Sequence, residues 1–545
     1  MFFKIINSKG YSYLKLVESY RKNGQTHQRV LFNFGPMDRL KEKGQLERWG
    51  LRLLELSGKS VPVLQDLEEV GRYCYGDVVY KRLWNRYRID RLLKDVLGKR
   101  KVQFDFREAV YLMVMDRLLF PRSKLATYGS QGRYLYAKPV DLNALYRSLD
   151  ILAESKEQLE EALFSRYRTL FNQEVDVVFY DVTTYHFESV RPDDLREFGY
   201  SKAGKVNEVQ VVMGLLLDRE GHPIGFELFP GNTHDSKTFL DALKALKKRF
   251  SLRRVIVVAD QGIVSHKNLH ALWSGGYEYI VRMRLKGASR GIQKQVLEEE
   301  GYEVGATDEE REATLRYKVI AGHRFVYRDE EGKKHPMEDT VVIYWSRRLA
   351  EKQALDRERA VNKALKIVEG ERPLSDKKGY RRYVATDSLR VTGLDEQRIA
   401  EDALWDGYLG LQTNVKNMTA RQIIEAYGQL WRIEDAFRVL KSTMQTRPIY
   451  HWTPKRIKGH FTVCFLAFVL ERALEIRLRR HGIRVSPDRI RQALNSLEVS
   501  EIRLKDQHFY LKGKHDSLAT KIMRIMKIKP FNNILSREEL LSAYK

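Results

Sequence analysis

Cysteine is nearly absent: only Cys74 and Cys464 occur in 545 residues. Far apart and set among hydrophobic neighbours, they read as buried free thiols of a cytosolic protein, and they cannot build a disulfide framework or a zinc site. Long apolar runs are missing as well. The longest, Phe461 to Leu470, is too short to cross a bilayer, and Met1 to Gly10 carries Lys4 and Lys9 around a short apolar patch without the layout of a signal peptide. No membrane-spanning segment is expected. Acid is in deficit, with 72 Asp+Glu against 97 Lys+Arg, a formal charge of +25 and a pI near 9.7. That balance favours a polyanionic partner, most commonly nucleic acid, with a membrane surface the weaker alternative. Common cofactor motifs fail too. SGKS at Ser57 to Ser60 lacks the first P-loop glycine, because Leu53 stands there, GASRGIQK is no dinucleotide turn, and no HExxH occurs. Internal repeats and low-complexity tracts are also missing.

What is present is a folded chain, 43% hydrophobic and too long for a single core. Residues 1–66 read as a hairpin, with YSYLKLVESYRKNGQTHQRVLFNFG alternating around the turn former RKNGQ, and then as helix from Pro36 to Leu56. Residues 67–172 have helical spacing, notably from Phe106 to Phe120 and from Asn143 to Phe171, and suit either a DNA-gripping region or a plain helical scaffold. In residues 173–284, VDVVFYD, EVQVVMGLLLD and PIGFELFPG read as three strands, DSKTFLDALKALKKRF as a helix, and RRVIVVAD and YEYIVRMR as two further strands. Continuous apolar runs such as VVFY and VIVVA suit strands covered on both faces. The fold class is therefore α/β, with a ribonuclease-H-like core. Residues 285–405 read as an inserted β-rich domain with one charged helix, Ser346 to Glu369. Residues 406–474 return to the core, with Thr419 and Gln422 forming a capping box, and residues 475–545 are read as a basic helical tail.

Three acids carry the chemistry. Asp181 and Asp260 each close an apolar strand, VVFYD and VIVVAD, and in such a fold these strands lie side by side. At about 100° per residue, Tyr427, Leu430, Trp431, Glu434, Phe437, Arg438 and Lys441 share one side of a helix, which sets Glu434 in the middle of an apolar stripe. Asp435 is an ordinary surface acid on this reading. Three converging carboxylates repel one another unless a cation lies between them, and hard oxygen donors suit Mg²⁺ or Mn²⁺. A pair of such ions about 3.5–4 Å apart serves in-line displacement at a phosphodiester, and a basic chain supplies the counter-charge for DNA. Asp235 in GNTHDS suits a helix cap, and His234 beside it is open to either a structural or a functional role.

With spacings of 79 and 174 residues, Asp181, Asp260 and Glu434 resemble the DDE triad of insertion-sequence transposases. The similarity is to the superfamily, insertion-sequence-four-like, whose third acid sits in Y-x2-R-x3-E-x6-K. Tyr427, Glu434 and Lys441 match that signature, while Leu430 replaces its arginine, a role that Arg432 or Arg438 could cover. GYSKAGKVNEVQVVMGLLLD, GFELFPGNTHDSKTF, PRSKLATYG and HFTVCFLAFVLE resemble a bacterial and archaeal branch with an N-terminal hairpin. The resemblance implies a cytoplasmic enzyme that binds the terminal inverted repeats of its element. It would cut at the ends with two Mg²⁺ or Mn²⁺ ions and join the 3′-hydroxyls to target DNA, acting as a dimer when two ends are paired. It also implies DNA contacts at Tyr427, Arg432, Arg438 and Lys441, with Lys202 and Lys205 as further candidates. The alternatives are a nuclease of the same fold that cuts without joining, and a retired transposase serving as a DNA-binding regulator.

Overall fold

The computed structural model describes the chain except for residues 9, 59–66, 99, 172–176, 188–190, 200–207, 234–242, 246–248, 251–254, 260–264, 308–312, 374–378, 388–389, 505–506 and 545. Two compact units emerge. The smaller joins residues 1–72 to 499–512 and 532–540, and the larger comprises 73–498, 513–531 and 541–545.

In the smaller unit, β1 (Phe2–Ser8), β2 (Tyr11–Lys22) and β3 (Gln25–Pro36) form a three-stranded antiparallel sheet. The expected hairpin is thus β2 and β3, and β1 is an additional strand. Asn23 and Gly24 take φ of 50° and 78° at its turn, the left-handed pair that a tight hairpin requires. Helices Met37–Glu42 and Gln45–Leu56 follow. β4 (Leu67–Cys74) then opens a stretch expected to be wholly helical.

The larger unit is built on a nine-stranded sheet. Its strands are β5 (Val177–His186), β6 (Gln210–Asp218), β7 (Pro223–Pro230), β8 (Ile256–Ala259), β9 (Glu278–Met283), β10 (Glu303–Thr307), β11 (Ala313–Arg328), β12 (Lys334–Ser346) and, after the short pair β13 (Val384–Asp387) and β14 (Arg390–Leu394), β15 (Tyr408–Thr413). They lie in the order β10-β11-β12-β15-β9-β8-β5-β6-β7. β6 runs antiparallel to both β5 and β7, whereas β8 runs parallel to both β5 and β9. All five strands expected of the core are present. The β-rich insertion, however, is not a sheet of its own: β12 pairs with β15, so β10 to β12 extend the core sheet. Its charged helix is observed at Arg347–Val368.

Alternation along β5 sends Tyr180 and Val182 to one face and Phe179, Asp181, Thr183 and Tyr185 to the other. The first face packs with Val212, Leu216, Val257 and Leu269, the last from helix His266–Ser274. The second is covered by helix Pro454–Arg480, through Tyr185 and Phe461 (ring centroids 5.0 Å apart) and Phe226 and Phe465 (5.4 Å). That helix is buried nearly all round from Gly459 to Ile476, and its stretch Phe461–Leu470 is apolar apart from Thr462, as a segment packed on every side must be. Helices Asp77–Arg86, Phe106–Leu119 and Leu142–Glu154 pack around it, so much of the 67–172 stretch serves as its scaffold. A Cβ at Gly459 would lie 2.0 Å from the Leu149 carbonyl oxygen, which makes glycine the residue this crossing demands.

The tail departs from expectation. Helix Pro454–Arg480 runs across the boundary drawn at 475, and β16 (Glu498–Leu504), β17 (Gln507–Lys512) and β18 (Ile534–Leu535) form a sheet in the order β18-β17-β16-β4. Among the described residues, no helix is long and apolar enough to cross a membrane. Cys74 and Cys464 are buried and free, as expected.

Candidate active site

Asp181 does not close its strand as expected: it is the fifth of the ten residues of β5, which runs on to His186, and it is half-buried, with one carboxylate oxygen accepting the Val182 N–H at 2.8 Å. The parallel register of β5 and β8 pairs Phe179 with Val258. Asp181 and Asp260 each stand two residues further along the sequence. Asp260 itself lies outside the described residues, as do Lys202, Lys205, His234 and Asp235.

The stretch carrying Glu434 is not one continuous helix. Helix Ala420–Gly428, with Thr419 and Gln422 forming the expected capping box, ends before a turn at Gln429 and Leu430. Helix Trp431–Arg438 follows and passes into a π-helical turn, Val439–Thr443. Such wider turns often mark functional positions. The break puts half-buried Tyr427 on a different helix from Glu434, so the single continuous helix expected to carry both is not formed. Leu430, Ile433, Ala436, Phe437, Val439 and Leu440 are buried, whereas Trp431, Glu434 and Arg438 are exposed. Glu434 therefore stands at the open edge of the helix and not at the centre of its apolar stripe.

Lys441 ties this segment to Asp181's face of the sheet. Its amine donates to the Thr183 hydroxyl and sits 5.3 Å from the centroid of the Tyr185 ring. Thr183 and Tyr185 follow Asp181 at alternate positions, so the segment that begins with Glu434 lies against the strand face that bears Asp181. Helix Trp431–Arg438 packs on both β5 and β6.

The neighbouring cations divide by role. Arg432 donates through Nε to the Gln429 side chain at 2.7 Å and through a terminal nitrogen to the Glu220 carbonyl at 2.8 Å. It therefore anchors the helix to the turn between β6 and β7. Arg438 is exposed and pairs with Asp435. Asp435 is far from an ordinary surface acid: it is half-buried and also holds Arg472 at 2.5 Å. Burial works to raise its pKa, but Arg472 and Arg438 outweigh burial and hold its carboxyl below the usual range. Arg472, buried on helix Pro454–Arg480, also binds Glu475 at 2.8 Å. Next to it, Tyr80 donates to Glu471 at 2.5 Å; burial, together with Glu475, pushes the Glu471 carboxyl well up. Sequence periodicity pointed to neither Arg472 nor the role of Asp435, and an arginine in the apolar run HFTVCFLAFVLERALE was the one available signal. A cleft lined by Trp431, Asp435, Arg438, Arg472, Arg479 and Arg484 opens beside the Glu434 helix.

Oxygen donors dominate the candidate site, as a hard divalent cation requires. Among the described residues, no three His, Cys, Asp or Glu groups are gathered closely enough to hold a metal, and Asp260 is not among them.

Comparison with known proteins gives two family matches. Residues 174–470 match the transposase DDE domain, and residues 3–57 match the N-terminal domain of the IS1634 family transposases. No curated protein matches the chain. Among solved structures, the chain is similar to a piggyBac transposase synaptic complex with hairpin DNA, at 10% identity and a TM-score of 0.34, over 84% of this chain and 82% of that one. It is also similar to a Mos1 transposase paired-end complex with the left transposon end, at 17% identity and a TM-score of 0.14, over 33% and 60% of the two chains. A Mos1 mariner paired-end complex with Mn matches at 15% identity and a TM-score of 0.14, over 42% and 70%. The first family model covers more than half of the sequence, and on that ground the chain belongs to the DDE transposases, with an N-terminal domain of the IS1634 kind.

Proposed function

We propose that this transposase binds the terminal inverted repeats of its own element, cleaves at the ends and joins the freed 3′-hydroxyls to target DNA. Asp181, Asp260 and Glu434 are its catalytic carboxylates on a ribonuclease-H-like core. The carrying observation is the seat of Lys441 on Thr183, two residues beyond Asp181, because it docks the Glu434 segment on the strand face that bears Asp181. The sheet supports the same reading: three antiparallel strands followed by two parallel ones, in the order β7-β6-β5-β8-β9, is the arrangement of that core.

Asp181, Asp260 and Glu434 supply oxygen ligands of the kind that suits Mg²⁺ or Mn²⁺. When bound, a pair of such ions would activate the attacking water or 3′-hydroxyl and stabilise the leaving oxygen. The protein's own residues position the strand. Lys441 fixes the Glu434 segment, Arg438 is exposed to meet a phosphate, and the arginine-lined cleft beside them offers a cationic wall to the backbone. Signature membership in the insertion-sequence-four-like superfamily is kept as part of this reading, with Leu430 in place of the arginine. Two ends held together call for a dimer on DNA.

The test is a pair of assays on end-bearing DNA with Mg²⁺ or Mn²⁺, one for cleavage and one for strand transfer from a precut 3′-hydroxyl. Wild type is expected to do both, and Asp181→Asn, Asp260→Asn and Glu434→Gln neither. Cleavage without transfer would make the protein a nuclease of the same fold. End binding without either reaction would leave a regulator.

A further inference from the structure

The hairpin of the smaller unit reaches beyond its third strand. β2 pairs with β3 from Tyr13 opposite Pro36 to Lys22 opposite Gln25, but β1 covers β2 only from Tyr11 to Val17. The five pairs from Glu18 and Arg29 to Lys22 and Gln25 therefore form a free two-stranded ribbon, roughly 17 Å long at the usual rise per residue. Every residue from Ser19 to Asn33 is exposed.

The two faces of this ribbon differ. On one, Arg29 binds Glu18 at 2.6 Å and lies 5.8 Å from the Tyr20 ring centroid, and Tyr20 meets His27 at 5.8 Å between centroids. That face, which also carries Lys22 opposite Gln25, holds the ribbon's one carboxylate and already engages Arg29 with it. The other carries Ser19, Arg21, Thr26 and Gln28 and no carboxylate. Gln28 accepts a hydrogen bond from Lys4 at 2.8 Å, and Lys4 is paired in register with Lys15. A row of cations, Lys4, Lys15 and Arg21, thus borders a set of short polar side chains.

We propose that this ribbon enters the major groove of the element's terminal repeat with its acid-free face inward. Arg21 and Gln28 read base edges there, and Lys4 and Lys15 meet the flanking phosphates. The assignment rests on the end-binding function proposed above and names the element that carries it. A major groove about 12 Å wide admits a two-stranded ribbon, and it presents guanine to arginine and adenine to glutamine in bidentate pairs. Duplex DNA suits a face with cations and no acid, whereas the opposite face bears the Glu18 carboxylate paired with Arg29.

The experiment measures binding of the full-length protein to two duplexes at several salt concentrations. One carries the inverted repeat that flanks the coding sequence, and the other is a scrambled duplex of equal length. Gln28→Ala is expected to weaken the repeat about tenfold while leaving the scrambled duplex and the salt slope unchanged, since no charge is lost. Arg21→Lys, which keeps the charge but not the planar fork, is expected to lose the preference for the repeat, and His27→Ala on the opposite face to retain it. Unchanged melting curves show that the ribbon variants fold. If wild type prefers the repeat and Gln28→Ala and Arg21→Lys keep that preference, or weaken both duplexes equally, the ribbon does not read bases and only this assignment falls. A wild type with no preference would overturn end binding as well.

Discussion

At the level of single residues, Glu434 and Asp435 are neighbours with opposite duties. Glu434 is exposed, so Glu434→Gln should abolish cleavage without moving the melting temperature. Asp435→Asn removes one of the two carboxylates that hold a buried arginine, whose side chain is 5% exposed, and with Glu475 still in place the lost charged hydrogen bond should cost about 2 kcal/mol. A thermal melt beside a cleavage assay separates the two: loss of activity alone for the first, loss of stability together with activity for the second. Periodicity read the pair the other way round, because it took the stretch as one unbroken helix and could not see Arg472 arriving from a helix 37 residues away in sequence. Lys441 drew attention in the sequence through its spacing from Glu434, but its seat on Thr183 was not legible, since a contact between a helix and a distant strand leaves no local pattern. Thr183→Val should slow cleavage while leaving the salt dependence of end binding unchanged. Lys441→Ala should slow cleavage and, if the lysine also meets a phosphate, lower that slope by roughly one unit.

Among the secondary-structure elements, the helix Pro454–Arg480 sets the geometry, with the sheet on one side and the helical layer on the other. Gly459→Ala would push a methyl into the Leu149 carbonyl at a crossing of two well-packed helices, and a loss of about 3 kcal/mol is expected, read as a lower melting temperature. In the same layer Asp77 is fully buried and accepts hydrogen bonds from Tyr111 at 2.8 Å and Tyr544 at 2.7 Å. Burial pushes its carboxyl up to about 6, against the lowering effect of those two hydroxyls. Because the folded pKa exceeds the unfolded one, this contribution is full below about pH 4 and is lost as pH rises to about 6, roughly 3 kcal/mol in all. Wild type should therefore lose stability across that window relative to Asp77→Asn, as urea melts at pH 4 and pH 7 would show. The core strands β5 to β9 were readable because buried strands are apolar runs closed by turn residues. The tail strands β16 and β17 were harder: in EVSEIRL and QHFYLK the charges mask the alternation.

For the molecule as a whole, a formal charge of +25 and a DDE domain spanning residues 174–470 agree on a DNA-processing enzyme. The insertion was visible in the sequence as a β-rich interruption, but its merger with the core sheet was not, because strand pairing between β12 and β15 joins segments far apart in the chain. Central to the proposed function is the gathering of Asp181, Asp260 and Glu434 around one metal site, and Fe²⁺ used in place of Mg²⁺ tests that gathering directly. With ascorbate and peroxide, bound iron cuts the polypeptide backbone nearby, and the fragments report which segments surround it. The expected result is three sets of cuts in one sample, near residues 181, 260 and 434, suppressed by excess Mn²⁺ and missing from Asp181→Asn. Cuts near Asp181 with none near Asp260 or Glu434, or a pattern that Asp181→Asn leaves unchanged, would contradict a shared site.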